Sequence, residues 1–266
     1  MSGHHEIAHV AGTHLAYEAV GAGPCLVLIH GFALDSRMWD DQIDALAQRY
    51  QVVRYDMRGF GHSALPDATS YTPAADLKAL LEYLEVGTAT ILGLSLGGGV
   101  ALDFALSYPE LTRSLILVDA MVDGWAWSSA WNEQAGSVWT AGRDGGVAVA
   151  KERWLALPLF GPAQQKPDVA RRLARMVSDY SGWHWHHDDP RQRLRPSTLL
   201  RLGSITAPTL IIVGEHDEPD FRSMADTFER GIPDSQKVIM SGVGHMANME
   251  DPDQFTAIVH HFLDEC

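Results

Sequence analysis

Six short runs of apolar, often β-branched residues recur along the chain with little polar alternation. They occupy residues 25–30, 51–55, 88–92, 115–118, 209–213 and 237–240. Continuous apolar runs are typical of strands covered on both faces, as in a parallel sheet. Stretches with helical patterns occupy residues 74–84, 96–108 and 252–263. This order predicts the α/β class, with a mostly parallel twisted sheet flanked by helices.

Two parts of the chain depart from this pattern. Residues 6–20 alternate more strongly and carry glycines, so we expect an antiparallel hairpin at the edge of the sheet. Residues 121–203 lack a buried-strand pattern and hold seven of the eight tryptophans, Trp125, Trp127, Trp131, Trp139, Trp154, Trp183 and Trp185. We expect this stretch to be a helical cap insertion, with residues 1–120 and 204–266 forming the core domain.

Charge and cysteine usage restrict the partners and the compartment. The formal net charge of −14 opposes binding to phosphate backbones and anionic lipid, so we expect neither a nucleic-acid nor a membrane partner. Cys25 and Cys266 suggest no disulfide framework, which fits a reducing compartment. Residues 1–10 show no secretory signal, and no stretch approaches the roughly 20 apolar residues of a membrane span. We therefore expect a cytoplasmic protein, and the sequence leaves its oligomeric state open.

A glycine-flanked serine gives the strongest local signal for chemistry. Residues 93–97 read Gly-Leu-Ser-Leu-Gly, between a predicted strand and a predicted helix. This G-x-S-x-G pattern holds a serine on a tight strand-to-helix turn, where only small flanking residues let the two elements approach. The turn presents the hydroxyl of Ser95 at a helix N-terminus, where partial positive charge favours a developing negative charge. The pattern predicts a nucleophilic serine.

Further motifs follow other predicted strands: His30-Gly31-Phe32, residues 56–63, Gly214-Glu215-His216-Asp217 and residues 242–246. Together with the serine turn and in this order, they resemble the α/β-hydrolase family, and within it the small esterase and enol-lactonase-like serine hydrolases. The resemblance covers nearly the whole chain outside the insertion. It implies an α/β-hydrolase core that uses neither a cofactor nor a metal.

The resemblance also implies a role for each matching residue. His245 is the general base that takes the proton of the Ser95 hydroxyl, and Asp217 orients its ring. Asp119 is an alternative acid, because some members of the fold carry the acid after that strand. The backbone N–H groups of Phe32 and Leu96 would form the oxyanion hole.

Two other motifs are interpreted as architecture. His30 is expected to hydrogen bond the local backbone, and residues 56–63 are expected to turn the chain. Residues 184–189, His-Trp-His-His-Asp-Asp, match no standard zinc spacing and are interpreted as a polar edge of the insertion. The tryptophans either fill a small core of the insertion or line an apolar pocket above Ser95.

The sequence thus predicts a serine hydrolase that cleaves small carboxylic esters or lactones through an acyl-enzyme. Its partner would be a small-molecule ester or lactone substrate. Three alternatives share these residues: a cofactor-free perhydrolase or haloperoxidase, a carbon–carbon bond hydrolase, and a receptor-like binding protein. Serine at position 95, where aspartate would be needed, argues against the dehalogenase and epoxide-hydrolase branches.

Overall fold

The computed structural model describes residues 5–265, so Cys266 and the first four residues of the N-terminal segment lie outside it. One eight-stranded sheet, ordered β1-β2-β4-β3-β5-β6-β7-β8, forms the centre of the protein. Its strands are β1 Glu6–Val10, β2 Thr13–Val20, β3 Cys25–Ile29, β4 Gln51–Tyr55, β5 Ala89–Leu94, β6 Thr112–Val118, β7 Thr209–Gly214 and β8 Ser235–Met240.

The strand directions confirm the predicted sheet. β1 and β2 form an antiparallel hairpin, and β2 pairs antiparallel with β4. Every pair from β4 to β8 is parallel. All residues of β3, β5 and β7 are buried, as their continuous apolar runs indicate. β8 is the edge strand, and its Ile239 is 58% exposed. The prediction that this strand is buried on both faces is therefore wrong.

Eleven α-helices lie among the described residues. They are α1 Asp40–Leu46, α2 Pro73–Tyr83, α3 Leu96–Ser107, α4 Ser129–Gly145, α5 Val147–Leu155, α6 Gly161–Gln164, α7 Pro167–Asp179, α8 Trp183–His186, α9 Pro219–Gly231, α10 Ala247–Glu250 and α11 Pro252–Glu265. Short 3-10 helices cover Ser36–Trp39, Pro109–Leu111, Pro158–Phe160 and Thr198–Ser204. At the start of α2, the Thr72 side chain accepts a hydrogen bond from the Ala75 N–H, and Pro73 occupies the first turn.

Between β6 and β7 the described chain contains helices α4 to α8 and no strand. We refer to residues 121–203 as the helical segment. Its helices bury their own apolar positions, among them Val138, Trp154 and Leu173. Within residues 5–265, no helix combines the length and the apolar character needed to cross a bilayer.

The order of the strands determines which loops meet. β5, β6, β7 and β8 are consecutive neighbours and run parallel, so their carboxyl ends lie at one edge of the sheet. Ser95 follows β5, Asp119 follows β6, Asp217 follows β7 and His245 follows β8. In open α/β sheets this edge is where ligands bind. The topology thus brings four residues distant in sequence to one edge.

Candidate active site

Ser95 occupies a backbone conformation that few non-glycine residues adopt, with φ 55° and ψ −113°. Its N–H donates to the Val118 carbonyl at 2.9 Å, and its carbonyl accepts from the Gly99 N–H at 3.1 Å. A Cβ on Gly93 would lie 2.2 Å from the Gly97 carbonyl oxygen, and one on Gly97 would lie 2.3 Å from the Ile29 oxygen. The strand and the helix therefore approach as closely as the glycines permit, and the serine is held strained at the turn.

His245 and Asp217 form a buried pair at the neighbouring strand ends. Nδ1 of His245 lies 3.0 Å from each Asp217 carboxylate oxygen. His245 is 2% and Asp217 is 5% exposed. Oδ1 of Asp217 also accepts the Glu218 N–H at 2.7 Å, which orients the carboxylate. A carboxylate on Nδ1 keeps the proton there, which leaves Nε2 as the ring's proton acceptor.

Asp119, the alternative acid, is buried beside this pair but has a different partner. Its Oδ1 accepts the Gly214 N–H at 2.8 Å, and no hydrogen bond joins it to His245. Burial, and then the negative charge of Asp217, raise the pKa of Asp119 well above its ordinary value. Burial therefore disfavours the charged form of Asp119, and Asp217 is the carboxylate that contacts the imidazole.

Asp119, Asp217 and His245 carry the carboxylate and imidazole groups that can bind a metal ion, and within residues 5–265 they are the cluster of this kind. One ligand atom from each of Asp119, Asp217 and His245 falls within 4.8 Å of the others. Two features of the residues do not suit a cation: Nδ1 of His245 is already hydrogen bonded to Asp217, and burial disfavours the charged form of Asp119. The donor set fits a hydrogen-bonded acid–base pair better than a metal centre.

The loop after β3 brings Phe32 next to the serine turn. Phe32, Leu96 and Ser95 line the same cavity. His30 is fully buried, and its Nε2 accepts the Met57 N–H at 3.0 Å while Nδ1 lies 2.8 Å from the Gly31 carbonyl. Burial lowers the pKa of His30, so the neutral ring donates from one nitrogen and accepts at the other. His30 thus joins the Phe32 loop to the segment after β4.

Residues 56–63 mainly hold the loop after β4 in place. The Asp56 carboxylate accepts the N–H groups of Ser36 and His62, each at 2.8 Å. Arg58 forms a two-bond ion pair with Asp76, at 2.7 and 2.9 Å. These contacts agree with the architectural interpretation, although Arg58 also contributes to the cavity wall.

The cavity that contains Ser95 has a volume of about 830 Å³, and both aromatic and charged side chains form its wall. Five tryptophans of the helical segment line it, namely Trp127, Trp131, Trp139, Trp154 and Trp185. The Phe32 ring stacks on Trp139, with centroids 5.5 Å apart. Phe221 also lines the cavity, and its ring centroid lies 4.4 Å from that of His245. Phe221 therefore connects the histidine to the cavity that holds the serine.

Two functional candidates were not singled out from the sequence. Glu250 is buried and accepts the N–H of Gly244 at 2.8 Å and that of Met246 at 3.1 Å, on either side of His245. The available signal was an acidic residue five positions after the histidine, next to Met249. His184 lines the cavity with only 10% of its side chain exposed, so the interpretation of this position as a polar edge is wrong.

Comparisons with known proteins agree with this geometry. The alpha/beta hydrolase fold family profile matches residues 24–252. A pimeloyl-[acyl-carrier protein] methyl ester esterase from Aeromonas hydrophila is 29% identical over 94% of this chain and 99% of that protein. A 3-oxoadipate enol-lactonase from Acinetobacter baylyi is 25% identical over 90% of this chain and 88% of that protein. A thermophilic esterase from Thermogutta terrifontis superposes with a TM-score of 0.81 at 27% identity, covering 99% of both chains. The chain therefore belongs to the α/β-hydrolase fold family, and its relatives include esterases and an enol-lactonase.

Proposed function

We propose that this protein is a serine hydrolase that cleaves small carboxylic esters or lactones through an acyl-enzyme on Ser95. The observation that carries the proposal is the buried Asp217–His245 pair, with its 3.0 Å contacts, at the same sheet edge as the strained serine turn. A base oriented by a carboxylate is what an unactivated hydroxyl requires to attack a carbonyl. The esterases and the enol-lactonase among the relatives support the same chemistry.

The proposed reaction has two halves. His245 takes the hydroxyl proton as Ser95 Oγ bonds to the carbonyl carbon, and Asp217 stabilises the imidazolium. The N–H groups of Phe32 and Leu96 hold the oxyanion, and the alcohol leaves with the proton from His245. Water then attacks the acyl-enzyme, gives its proton to His245, and releases the acid and free Ser95.

The aromatic wall of the cavity suggests the kind of substrate. Five tryptophans and Phe32 offer flat apolar surface around Ser95, so we expect an apolar or aromatic acyl or alcohol part. Because these tryptophans all come from residues 121–203, we propose that the helical segment acts as a cap on a core formed by residues 1–120 and 204–266.

Replacement of the nucleophile tests the proposal. Ser95→Ala should reduce p-nitrophenyl acetate hydrolysis by about ten-thousand-fold or more, as for other serine triads. Ser223→Ala is a matched control, because that serine is exposed on α9 and its hydroxyl donates to the Pro219 carbonyl, away from the cavity. Near wild-type turnover by the Ser95→Ala protein would refute the proposal.

A further inference from the structure

A second histidine lines the Ser95 cavity, and its neighbours determine which nitrogen carries the proton. The Tyr180 hydroxyl lies 2.7 Å from Nδ1 of His184 and also accepts the backbone N–H of His184 at 3.3 Å. Burial raises the pKa of Tyr180, so the hydroxyl keeps its hydrogen. When the Tyr180 hydroxyl donates this hydrogen to Nδ1 of His184, both polar atoms have a hydrogen-bond partner. The neutral His184 ring then carries its own proton on Nε2.

The imidazole of His184 is held rigidly. Phe60 stacks on it with centroids 4.5 Å apart and planes 18° apart. On another side, a Cβ at Gly59 would lie only 2.6 Å from the imidazole Cε1, so the glycine backbone packs directly against the ring. A ring enclosed in this way is a preorganised group that loses little freedom when it binds a ligand.

Nε2 of His184 makes no hydrogen bond within residues 5–265. The facing acceptor is Oδ2 of Asp189, at 3.8 Å, too far for a direct bond. The other oxygen of Asp189 is engaged by the Tyr71 hydroxyl at 3.0 Å and the Arg191 N–H at 3.1 Å. Burial lowers the pKa of His184 to about 4, so near neutral pH the ring is an uncharged donor. The cavity wall thus holds a donor and an acceptor close enough that one hydroxyl oxygen, lying beside them, can be within hydrogen-bond distance of both.

We propose that His184 and Asp189 bind a hydroxyl group of the substrate. The hydroxyl oxygen accepts the Nε2 hydrogen, and the hydroxyl hydrogen is donated to Oδ2 of Asp189. A keto oxygen or a carboxylate would satisfy only His184, because neither has a hydrogen to donate to Oδ2 of Asp189. The substrate class is therefore a hydroxylated ester or lactone. This inference rests on the proposed function, because it needs the ester carbonyl at Ser95.

Matched esters measure the preference directly. The probes are p-nitrophenyl phenylacetate and its 2-, 3- and 4-hydroxyphenyl analogues, whose ring suits the aromatic wall. For each protein the readout is the ratio of kcat/KM for the hydroxylated ester to kcat/KM for the unsubstituted ester. The wild type should favour at least one isomer by about tenfold, the value of a paired hydroxyl in a buried site.

Variants assign that preference to the Nε2 hydrogen of His184 and to Tyr180, which holds its tautomer. His184→Phe keeps a ring on Phe60 but removes the donor, and should bring the ratio close to one. Tyr180→Phe, which no longer holds the tautomer, should lower the ratio less. His261→Phe is the control, because that side chain is 78% exposed on α11 and should retain the wild-type ratio.

The outcomes separate this inference from the proposed function. If no isomer is favoured, or if His184→Phe keeps the ratio, the hydroxyl site is refuted while Ser95-dependent hydrolysis stands. If the wild type hydrolyses none of the esters, the proposed function fails. The Kd values of the methyl hydroxyphenylacetates for the Ser95→Ala protein, measured by tryptophan fluorescence, then test the hydroxyl site without catalysis. Equal Kd values for hydroxylated and unsubstituted methyl esters would overturn it.

Discussion

Glu250 should control the position and the basicity of His245, although it touches neither the ring nor the cavity. Its carboxylate is 4% exposed and accepts one N–H on each side of the histidine, from Gly244 and from Met246. Two charge-assisted bonds to flanking residues leave the loop little freedom. Glu250→Gln tests this role, because the amide has nearly the same shape but only one acceptor oxygen.

The magnitude follows from the bonds. In the Glu250→Gln protein one of the two buried N–H groups faces an NH₂ group and loses its acceptor, which costs about 1–3 kcal/mol of the free energy of unfolding. For a chain of this size a loss of about 2 kcal/mol lowers Tm by about 4–8 °C. A loop shift of about 1 Å would lower kcat by on the order of a hundredfold.

A pH profile separates positioning of the base from a purely structural effect. Burial raises the pKa of the Glu250 carboxyl, while the N–H groups of Gly244 and Met246 and the charge of His245 oppose that rise. In Glu250→Gln the side chain carries no negative charge that could stabilise the imidazolium formed when His245 takes the Ser95 proton. The acid limb of kcat/KM should therefore move to lower pH in Glu250→Gln.

The assays are thermal unfolding and p-nitrophenyl acetate hydrolysis from pH 5 to 9, with Glu152→Gln as control because Glu152 is exposed on α5. Wild-type Tm, kcat and acid limb in Glu250→Gln would show that the reasoning is wrong. A lower Tm with an unmoved limb would leave Glu250 a structural role only.

Other substitutions test the acids and the turn. Asp217→Asn should lower kcat by about ten-thousand-fold and Asp119→Asn far less; a larger loss in Asp119→Asn would reverse the assignment. Because the pKa of Asp119 is raised on folding, the native state binds the proton more tightly and stability falls as pH rises above about 4. The neutral amide of Asp119→Asn avoids this loss. The difference between the Tm of the variant and that of the wild type, measured by calorimetry, should therefore increase in favour of the variant from pH 5 to pH 8. Gly97→Ala places a Cβ 2.3 Å from the Ile29 oxygen and should prevent stable folding. The Cβ of Gly136→Ala, on α4, meets nothing within 4 Å, so this substitution should raise the free energy of unfolding by about 0.5–1 kcal/mol. Urea unfolding distinguishes the two glycine variants.

Much of the fold could be predicted because burial on both faces of a strand leaves a local mark. The apolar runs of β3, β5 and β7 give their positions within a residue or two, and their order requires parallel pairing. Helices α1 and α9 escaped prediction. α1 is only seven residues long, whereas the buried positions of α9, at 220, 221, 224, 225 and 228, have a helical spacing that was an available signal.

The candidate site also contains residues that the sequence indicates and residues that only the folded structure indicates. Ser95 stands out because its turn requires glycines two residues before and after it, which is a local requirement. The roles of Glu250 and His184 depend on partners contributed by the folded chain, such as the Gly244 N–H and the Phe60 ring. No sequence periodicity encodes those contacts, so they emerge only once the chain is folded.

The identity of the nucleophile is the central claim, and covalent labelling measures it directly. The protein is treated with diisopropyl fluorophosphate, and the modified peptide is identified by mass spectrometry while p-nitrophenyl acetate hydrolysis is followed in parallel. We predict one label per chain, on Ser95, with activity lost in proportion to labelling. A label confined to another residue, or full activity in a protein labelled completely at Ser95, would contradict the account.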